Sequence, residues 1–310
     1  MINFYFKTIR DRKIKRIARF KSGCWIRVYN PSDKELETLE KRYSLEKGHL
    51  IDALDPYEVP RIETENGSAY IFTRYPIQPE KNGKIITIPL LIVVCEDFIL
   101  TLSSEDLQLK EKLFKQDIDF STTQRTKFTL QILFNINHTF NKFLNTISRD
   151  IRKTNVDLEK INIKNSDIIR LVGFETILND FLSALEPIKG NISMLTSGKI
   201  LELFEEDKDL IEDLLLNNNQ LIGISKSNLK NIVNIREAYS TIMGNNLNKI
   251  IKFLTALTVV LNIPVLISGF YGMNVALPLA QSGFAFWYLV FSSVIISIIL
   301  IIVFIKMDWF

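Results

Sequence analysis

The sequence predicts an α+β membrane protein with an N-terminal α/β domain, a long helical stalk and two C-terminal transmembrane helices. Runs of β-branched and aromatic residues dominate residues 1–122, and long stretches with helical apolar spacing fill residues 123–249. No residue is charged from Phe253 through Ile305. About 20 apolar residues span the bilayer core as a helix, so residues 250–310 are predicted to cross the membrane twice.

The first 122 residues contain the signals of a sheet with short helices. The Asn-Gly pairs at 66–67 and 82–83 predict hairpin turns. Ser32, followed three residues later by Glu35, predicts the capped start of a helix. The β-branched and aromatic runs predict strands at 25–29, 69–75, 85–94 and 98–102. Such a domain is long enough to bury its own core.

After Gln124 the apolar spacing predicts three long helices. The first lies within 128–151 and the second within 168–185. The third is predicted to begin near Asp207 and to continue to Tyr271, because no Gly-Pro break separates its polar and apolar parts. At about 1.5 Å per residue this helix would be on the order of 100 Å long. A soluble stalk would thus be joined rigidly to the first membrane span.

The two membrane spans are predicted at about 250–271 and 286–305. Trp287 and Trp309 flank the second span, as aromatic residues do at membrane interfaces. Lys249 and Lys252 flank the start of the first span, Lys306 follows the second and the connecting loop is uncharged, so both termini are predicted to be cytoplasmic. We expect the plasma membrane as the location, with membrane lipid around the spans.

Composition argues against several other functions. A net charge of +3 on 310 residues is too small to predict a nucleic-acid partner. The two cysteines suggest no disulfide framework and fit a reducing compartment. The sequence has no phosphate-binding Gly-x-x-x-x-Gly-Lys motif, no His-Glu-x-x-His pattern and no recognisable set of nucleophile and base, so an enzyme is not expected.

The first span is the better candidate for lining a water path, because it is the more polar. Two helices per chain cannot enclose such a path, so a channel would require several copies in a ring. Thr255 and Thr258 could face water or bond back to their own helix. Pro264 removes one helix hydrogen bond, and the carbonyl group left without a partner could be satisfied by water in a pore.

The segment Tyr271-Gly272-Met273-Asn274 resembles the signature of the CorA-type family of magnesium and cobalt transporters. That signature is Gly-Met-Asn at the outer end of the first of two C-terminal membrane helices. Residues 52–63 and 248–255 are also similar to segments of this family. The resemblance therefore extends over most of the chain and implies a funnel-shaped homopentamer.

The resemblance implies roles for particular residues. Gly272, Met273 and Asn274 are expected to form the ion-selective outer mouth, where neutral amide oxygens would bind Mg²⁺ through its water shell. Gly272 would permit a tight bend and Met273 would pack the turn. Ile251 and Leu254 would form an apolar constriction. The positions matching the pore-lining register are Asn248, Ile251, Leu254, Thr258, Asn262 and Val265.

The resemblance also implies regulation by Mg²⁺ bound between adjacent chains, through Asp52 of one chain and Asp213 of the next. Two carboxylates repel each other until a cation bridges them, which would make intracellular Mg²⁺ stabilise a closed state. The nearby acidic residues have a simpler explanation. Asp207 and Asp209 would be favourable charges at the N-terminal end of the long helix.

The predicted function is passive uptake of Mg²⁺, driven by the membrane potential, with Co²⁺ as a possible further cargo. One alternative is the same fold transporting Co²⁺, Ni²⁺ or Zn²⁺. A different alternative is a membrane-anchored helical scaffold or sensor, which would not account for the polar first span. The outer loop has no acidic residue and the C-terminus has no run of lysines, which leaves the source of cation attraction open.

Overall fold

The computed structural model describes residues 1–11, 13–79, 83–107, 109, 120–159, 164–275, 277–278 and 282–309. The chain forms two compact units, Met1–Val233 and Asn234–Phe310. The boundary between them falls inside one long helix, which contributes residues to both units. The division at 122, which separates the sheet domain from the stalk, remains a prediction.

Within the described residues, the first unit contains one mixed sheet in the order β2-β1-β3-β7-β6-β5-β4. Every neighbouring pair is antiparallel except β3 and β7. The strands are β1 Ile2–Phe6, β2 Lys15–Ile17, β3 Cys24–Tyr29, β4 Ile62–Glu65, β5 Ser68–Ile77, β6 Ile86–Val94 and β7 Phe98–Ser103. The four predicted strands are confirmed. Strands β1, β2 and β4 were not predicted. Of these, β2 and β4 are short strands at the two edges of the sheet, and every second residue of β4 is a glutamate.

Helices cover both faces of this sheet, and they are α1 Asp33–Tyr43, α2 Lys47–Asp52, α3 Arg125–Glu159 and α4 Asn165–Leu195. Leu39 of α1 and Leu50 of α2 pack against Phe72 in one apolar cluster. On the opposite face, the ring of Trp25 meets the ring of Phe128 of α3 at 5.4 Å between centroids. Successive side chains of a strand point to opposite faces, so both faces of the central strands are buried.

Two local sequence signals fold as predicted. The Ser32 hydroxyl accepts a hydrogen bond from the Glu35 N–H at 3.4 Å, and the Glu35 carboxylate accepts one from the Ser32 N–H at 2.9 Å. This second bond lowers the pKa of Glu35. Asn66 and Gly67 both have positive φ, as a two-residue hairpin loop between β4 and β5 requires. The other predicted turn, at 82–83, lies partly outside the described residues.

Two more helices complete the described chain, α5 Glu205–Tyr271 and α6 Ala285–Lys306. They confirm the predicted continuous third helix and the second apolar span to within two residues at each end. Asp207 is only 3 % exposed, and its carboxylate accepts a hydrogen bond from the Phe204 N–H at 3.1 Å. Asp207 lies in the first turn of α5, where a negative charge was predicted to be favourable, and its carboxylate bonds back to the residue before the helix, as the third helical residue does in a capping box. Both helices are long and apolar enough to cross a membrane.

Candidate functional site

Helix α5 ends immediately before the Gly-Met-Asn segment. The Gly272 N–H donates to the carbonyl groups of Ser268, at 3.0 Å, and Gly269, at 3.2 Å, which closes the last turn. The backbone of Gly272 is not in the left-handed region, and a Cβ added there would lie 3.4 Å from the Ser268 carbonyl oxygen. The bend at this helix end therefore does not use a conformation reserved for glycine, and the expected role of Gly272 in permitting it stays a prediction.

Met273 and Asn274 are exposed in the single chain. Met273 is 52 % exposed, so one chain covers only about half of its surface, and its expected role in packing the turn stays a prediction. The Tyr271 hydroxyl donates to the Pro278 carbonyl oxygen at 3.2 Å, which connects the helix end to the segment that follows. Asn274 lies between Tyr271 and Pro278 in the sequence, and it is exposed.

The six predicted pore-lining residues share one face of α5. They follow one another at intervals of three or four positions, the spacing that places side chains above one another on a helix. All six are exposed: Asn248, Ile251, Leu254, Thr258, Asn262 and Val265. This stripe combines amide, hydroxyl and apolar groups, and it is uncovered in the single chain, as are most of the residues around it on α5.

The opposite side of α5 packs against α6. Ala256 is fully buried there, and the Ser297 hydroxyl of α6 donates to the Val260 carbonyl oxygen at 3.5 Å. This carbonyl is the one that lacks a helix partner, because Pro264 four residues later has no N–H. The second span thus supplies a donor at the limit of hydrogen-bond distance, and whether pore water also bonds this carbonyl stays a prediction.

Thr258 follows one of the two alternatives that the sequence left open. Its hydroxyl donates to the Leu254 carbonyl oxygen at 2.8 Å, one turn earlier in the helix. A hydroxyl that donates in this way still has oxygen lone pairs available to a second partner. Thr258 can therefore accept a hydrogen bond from water on the exposed stripe while bonded to its own helix.

Asp52, one of the two predicted regulatory residues, is the last residue of α2. Its carboxylate accepts a hydrogen bond from Nη2 of Arg61 at 2.9 Å. The same guanidinium contacts the carboxylates of Glu58 and Glu63. No sequence pattern predicted this network, because the irregular chain between α2 and β4 determines that Arg61 meets Asp52 and Glu58.

Asp213, the other predicted regulatory residue, is exposed on α5. The next residue, Leu214, is fully buried, and its carbonyl oxygen accepts a bond from Nδ2 of Asn137 of α3 at 3.4 Å. Packing of Leu214 thus directs Asp213 away from the core. Carboxylate oxygens suit Mg²⁺. In the part of the chain described, no three His, Cys, Asp or Glu side chains form a metal site, so an ion here would need ligands from water or a second chain.

Comparisons with known proteins agree with these features. A family model described as "CorA-like Mg2+ transporter protein" matches residues 20–306. The "Cobalt/magnesium transport protein CorA" of Methanocaldococcus jannaschii is 26 % identical over 292 residues, covering 92 % of this chain and 90 % of the relative. The "Magnesium transport protein CorA" of Helicobacter pylori strain 26695 is 20 % identical with both chains fully covered.

The fold is also found among solved structures. The complete structure of the CorA magnesium transporter from Methanocaldococcus jannaschii superimposes with a TM-score of 0.87 and 22 % identity. The match covers 100 % of this chain and 99 % of the other. The arrangement of an N-terminal α/β domain, a long helix and two C-terminal apolar helices is therefore a known architecture.

Proposed function

The chain belongs to the CorA-like Mg²⁺ transporter family, and we propose that it forms a passive channel for hydrated Mg²⁺, with Co²⁺ as a second cargo. The observation that supports this most directly is the uncovered stripe on α5, which faces away from α6. A doubly charged ion gains on the order of 4 to 5 kcal/mol per 100 mV of inside-negative potential, so uptake needs no ATP.

The channel in this proposal is a homopentamer in the plasma membrane. The stripe of each copy faces a shared axis, and α6 lies between α5 and lipid. Ile251 and Leu254 make the narrow apolar constriction, and rings of Asn248 and Asn262 keep water in the path on either side. Gly272, Met273 and Asn274 form the outer mouth. Both termini are cytoplasmic in this arrangement, which the lysines flanking the spans support.

Regulation in this proposal depends on two carboxylates of the first unit, the partly exposed Asp52 and the exposed Asp213. Mg²⁺ bridges Asp52 of one chain and Asp213 of its neighbour when the cytoplasmic concentration is high. The bridge holds the copies in a closed arrangement, and its loss lets them rearrange. Asp213 belongs to α5, the helix that also contains the stripe, so movement of one end of this helix can alter the other.

The outer mouth is tested by ion flux into proteoliposomes that contain a Mg²⁺-sensitive dye. We expect Asn274→Ala to lower Mg²⁺ influx about tenfold or more, which corresponds to a loss of about 1.4 kcal/mol in stabilising the ion at its entry. Asn145→Ala is the matched control, because Asn145 is an exposed asparagine on α3 whose amide bonds only Asn141 of the same helix, at 3.3 Å.

The flux assay also separates the alternatives. A membrane-anchored scaffold would give no influx above empty vesicles, and Asn274→Ala would change nothing. Parallel assays with Co²⁺, Ni²⁺ and Zn²⁺ determine the cargo. We expect Mg²⁺ and Co²⁺ to enter through a path of amide and hydroxyl oxygens. Equal Mg²⁺ influx by the native chain and Asn274→Ala would contradict the assignment of the mouth.

A further inference from the structure

We infer that Arg61 sets the Mg²⁺ sensitivity of the Asp52 site by acting as an internal cation that the incoming ion must displace. This inference rests on the regulatory function proposed for Asp52. It adds a residue from the same chain, which lies next to the carboxylate and has the charge of a competitor.

The guanidinium of Arg61 lies within contact distance of three carboxylates. Its Nη2 donates to Oδ2 of Asp52 at 2.9 Å, and its other nitrogens contact Glu58 and Glu63. A guanidinium has five N–H donors in a rigid fork, so it can engage several carboxylates at once. Asp52 is therefore already paired with a cation when no divalent ion is bound.

The charges of this cluster leave room for an ion to compete. Three carboxylates and one guanidinium have a formal net charge of −2, so the cluster still attracts cations. Arg61, however, repels any cation that approaches the Asp52 carboxylate, and such repulsion acts over distances of about 10 Å or less in salt solution. The affinity of Asp52 for Mg²⁺ is thus lower than that of an unpaired carboxylate in the same place.

Arg61 is well placed to release Asp52 without unfolding the domain. Its guanidinium lies over the ring of Phe72, 4.0 Å from the centroid, and Phe72 belongs to the buried core. Arg61 and Asp52 nevertheless keep 33 % and 45 % of their side chains exposed. When Mg²⁺ takes Asp52, Arg61 keeps its contacts with Glu58 and Glu63.

Arg61 also favours the ionised form of Glu63. The hydrogen bond from Arg61 lowers the pKa of Glu63 below its ordinary value. Oε2 of Glu63 also lies 3.6 Å from Nε2 of His49, and Oε2 of Glu65 lies 3.2 Å from the same nitrogen. Glu63 therefore keeps its contact with Arg61 on one side and faces His49 on the other. Asp52 is the partner of Arg61 at the end of α2, which a neighbouring chain is proposed to meet.

A purely structural function of Arg61 predicts the opposite sign. If Arg61 only held the segment between α2 and β4 in place, its loss would loosen Asp52 and weaken Mg²⁺ binding. If Arg61 competes with the ion, its loss would strengthen Mg²⁺ binding. The direction of the change therefore distinguishes the two functions.

The experiment uses the full chain in detergent and in proteoliposomes. The binding readout is the Mg²⁺ concentration that gives half-maximal protection from limited proteolysis, and the second readout is half-maximal inhibition of flux. We expect Arg61→Gln to lower both concentrations about 2- to 5-fold, the range of a partly exposed ion pair. Arg61→Lys keeps the charge and should stay much closer to the native values.

Arg170→Gln is the matched control. Arg170 is an exposed arginine on α4, paired with Asp167 at 3.4 Å, so the substitution removes the same charge from a different ion pair. It should leave both concentrations unchanged. If Arg61→Gln does not fold, Arg61→Met serves in its place, because its unbranched side chain can still pack on Phe72 without charge, and the same shift is expected.

Asp52→Asn separates the inference from the function on which it rests. If Asp52→Asn leaves protection and inhibition by Mg²⁺ unchanged, Asp52 is not a regulatory ligand and the inference fails with it, while the Asn274 test still stands for the pore. If Asp52→Asn weakens the response but Arg61→Gln leaves it unchanged or also weakens it, only the inference about Arg61 is overturned.

Discussion

The two units of this chain differ in how much of their apolar surface the chain itself buries. In Met1–Val233 most large apolar side chains are buried in a core, and the buried Trp25 indole N–H donates to the Thr101 hydroxyl of the same unit at 2.9 Å. In Asn234–Phe310 only 6 % of the most apolar stretch of either long helix is buried. The first unit thus buries a core of its own, whereas the apolar surface of the second is left open, as we expect for the part of the proposed channel that lipid and further copies would cover.

This difference determines what the structure of a single chain explains in each unit. Contacts in the first unit explain its stability directly, since its sheet and helices cover each other. In the second unit the informative observation is what remains uncovered, the stripe on α5 that faces away from α6. Substitutions in the first unit should therefore change its own unfolding, and those in the second should change assembly and flux.

The largest effect is expected at Trp25. This side chain is fully buried, with its ring 5.3 Å from that of Tyr5 and 5.4 Å from that of Phe128. Trp25→Ala should lower the free energy of unfolding of the first unit by about 3 to 5 kcal/mol. Denaturant titration of the full chain in detergent, followed by circular dichroism, measures it. Trp287→Ala, in exposed α6, is the control; if it destabilises the first unit equally, the contrast between the units is wrong.

A smaller effect is expected at Tyr75, whose buried hydroxyl contacts Oδ1 of Asn135 at 3.1 Å and Oγ1 of Thr139 at 2.9 Å. Tyr75→Phe leaves Asn135 without this donor and should cost about 1 to 3 kcal/mol of unfolding free energy. The same denaturant titration at neutral pH measures the loss. A change near zero would mean that water replaces the hydroxyl.

Tyr75 also has a pH signature. Burial raises the pKa of Tyr75 from 10.0 to about 12. The unfolded chain therefore loses this proton first, so the contribution of Tyr75 to stability is fully present below pH 10 and is lost as the pH rises from about 10 to 12. Unfolding titrations across this window should show a shallower loss for Tyr75→Phe than for the native chain. Identical slopes would contradict the buried hydroxyl.

The N-terminal cap of α1 should contribute less. Ser32→Ala removes the hydroxyl that accepts from the Glu35 N–H and should cost about 1 kcal/mol of unfolding free energy. Ser32→Asn is the control, because its side-chain oxygen can cap in the same way. Thermal unfolding of both variants is compared with that of the native chain. Equal losses for the two would show that the cap is not what Ser32 contributes.

The smallest effect is expected in the second unit. Ser297→Ala leaves the Val260 carbonyl without its donor from α6 and should cost about 0.6 kcal/mol, the average for a hydrogen bond between membrane helices. Unfolding by increasing fractions of dodecyl sulfate measures it. Ser292→Ala is the control, because the Ser292 hydroxyl bonds within its own helix, to Leu289 at 3.1 Å. If both variants behave alike, the bond between the helices contributes nothing.

Much of the fold follows from local patterns in the sequence. The capping box at Ser32, the Asn-Gly turn at 66–67 and the uninterrupted apolar spacing up to Tyr271 each depend on residues close together in the chain, and each is confirmed. The short strands β2 and β4 were missed because an edge strand buries little and shows weak alternation. The six positions of the stripe were proposed from a resemblance, and their function stays a prediction, because most neighbouring residues of α5 are exposed as well.

The sequence by itself determined the local elements and the membrane class, because helical spacing, turn residues and a long uncharged stretch act over short separations. Only the tertiary structure decided which groups meet. It paired Asp52 with Arg61, brought Ser297 to the carbonyl that Pro264 leaves free, and buried Leu214 so that Asp213 faces outward. Asp52 and Arg61 are 9 positions apart in the sequence, and Val260 and Ser297 are 37 apart. Such contacts depend on packing between elements, which no local sequence pattern encodes.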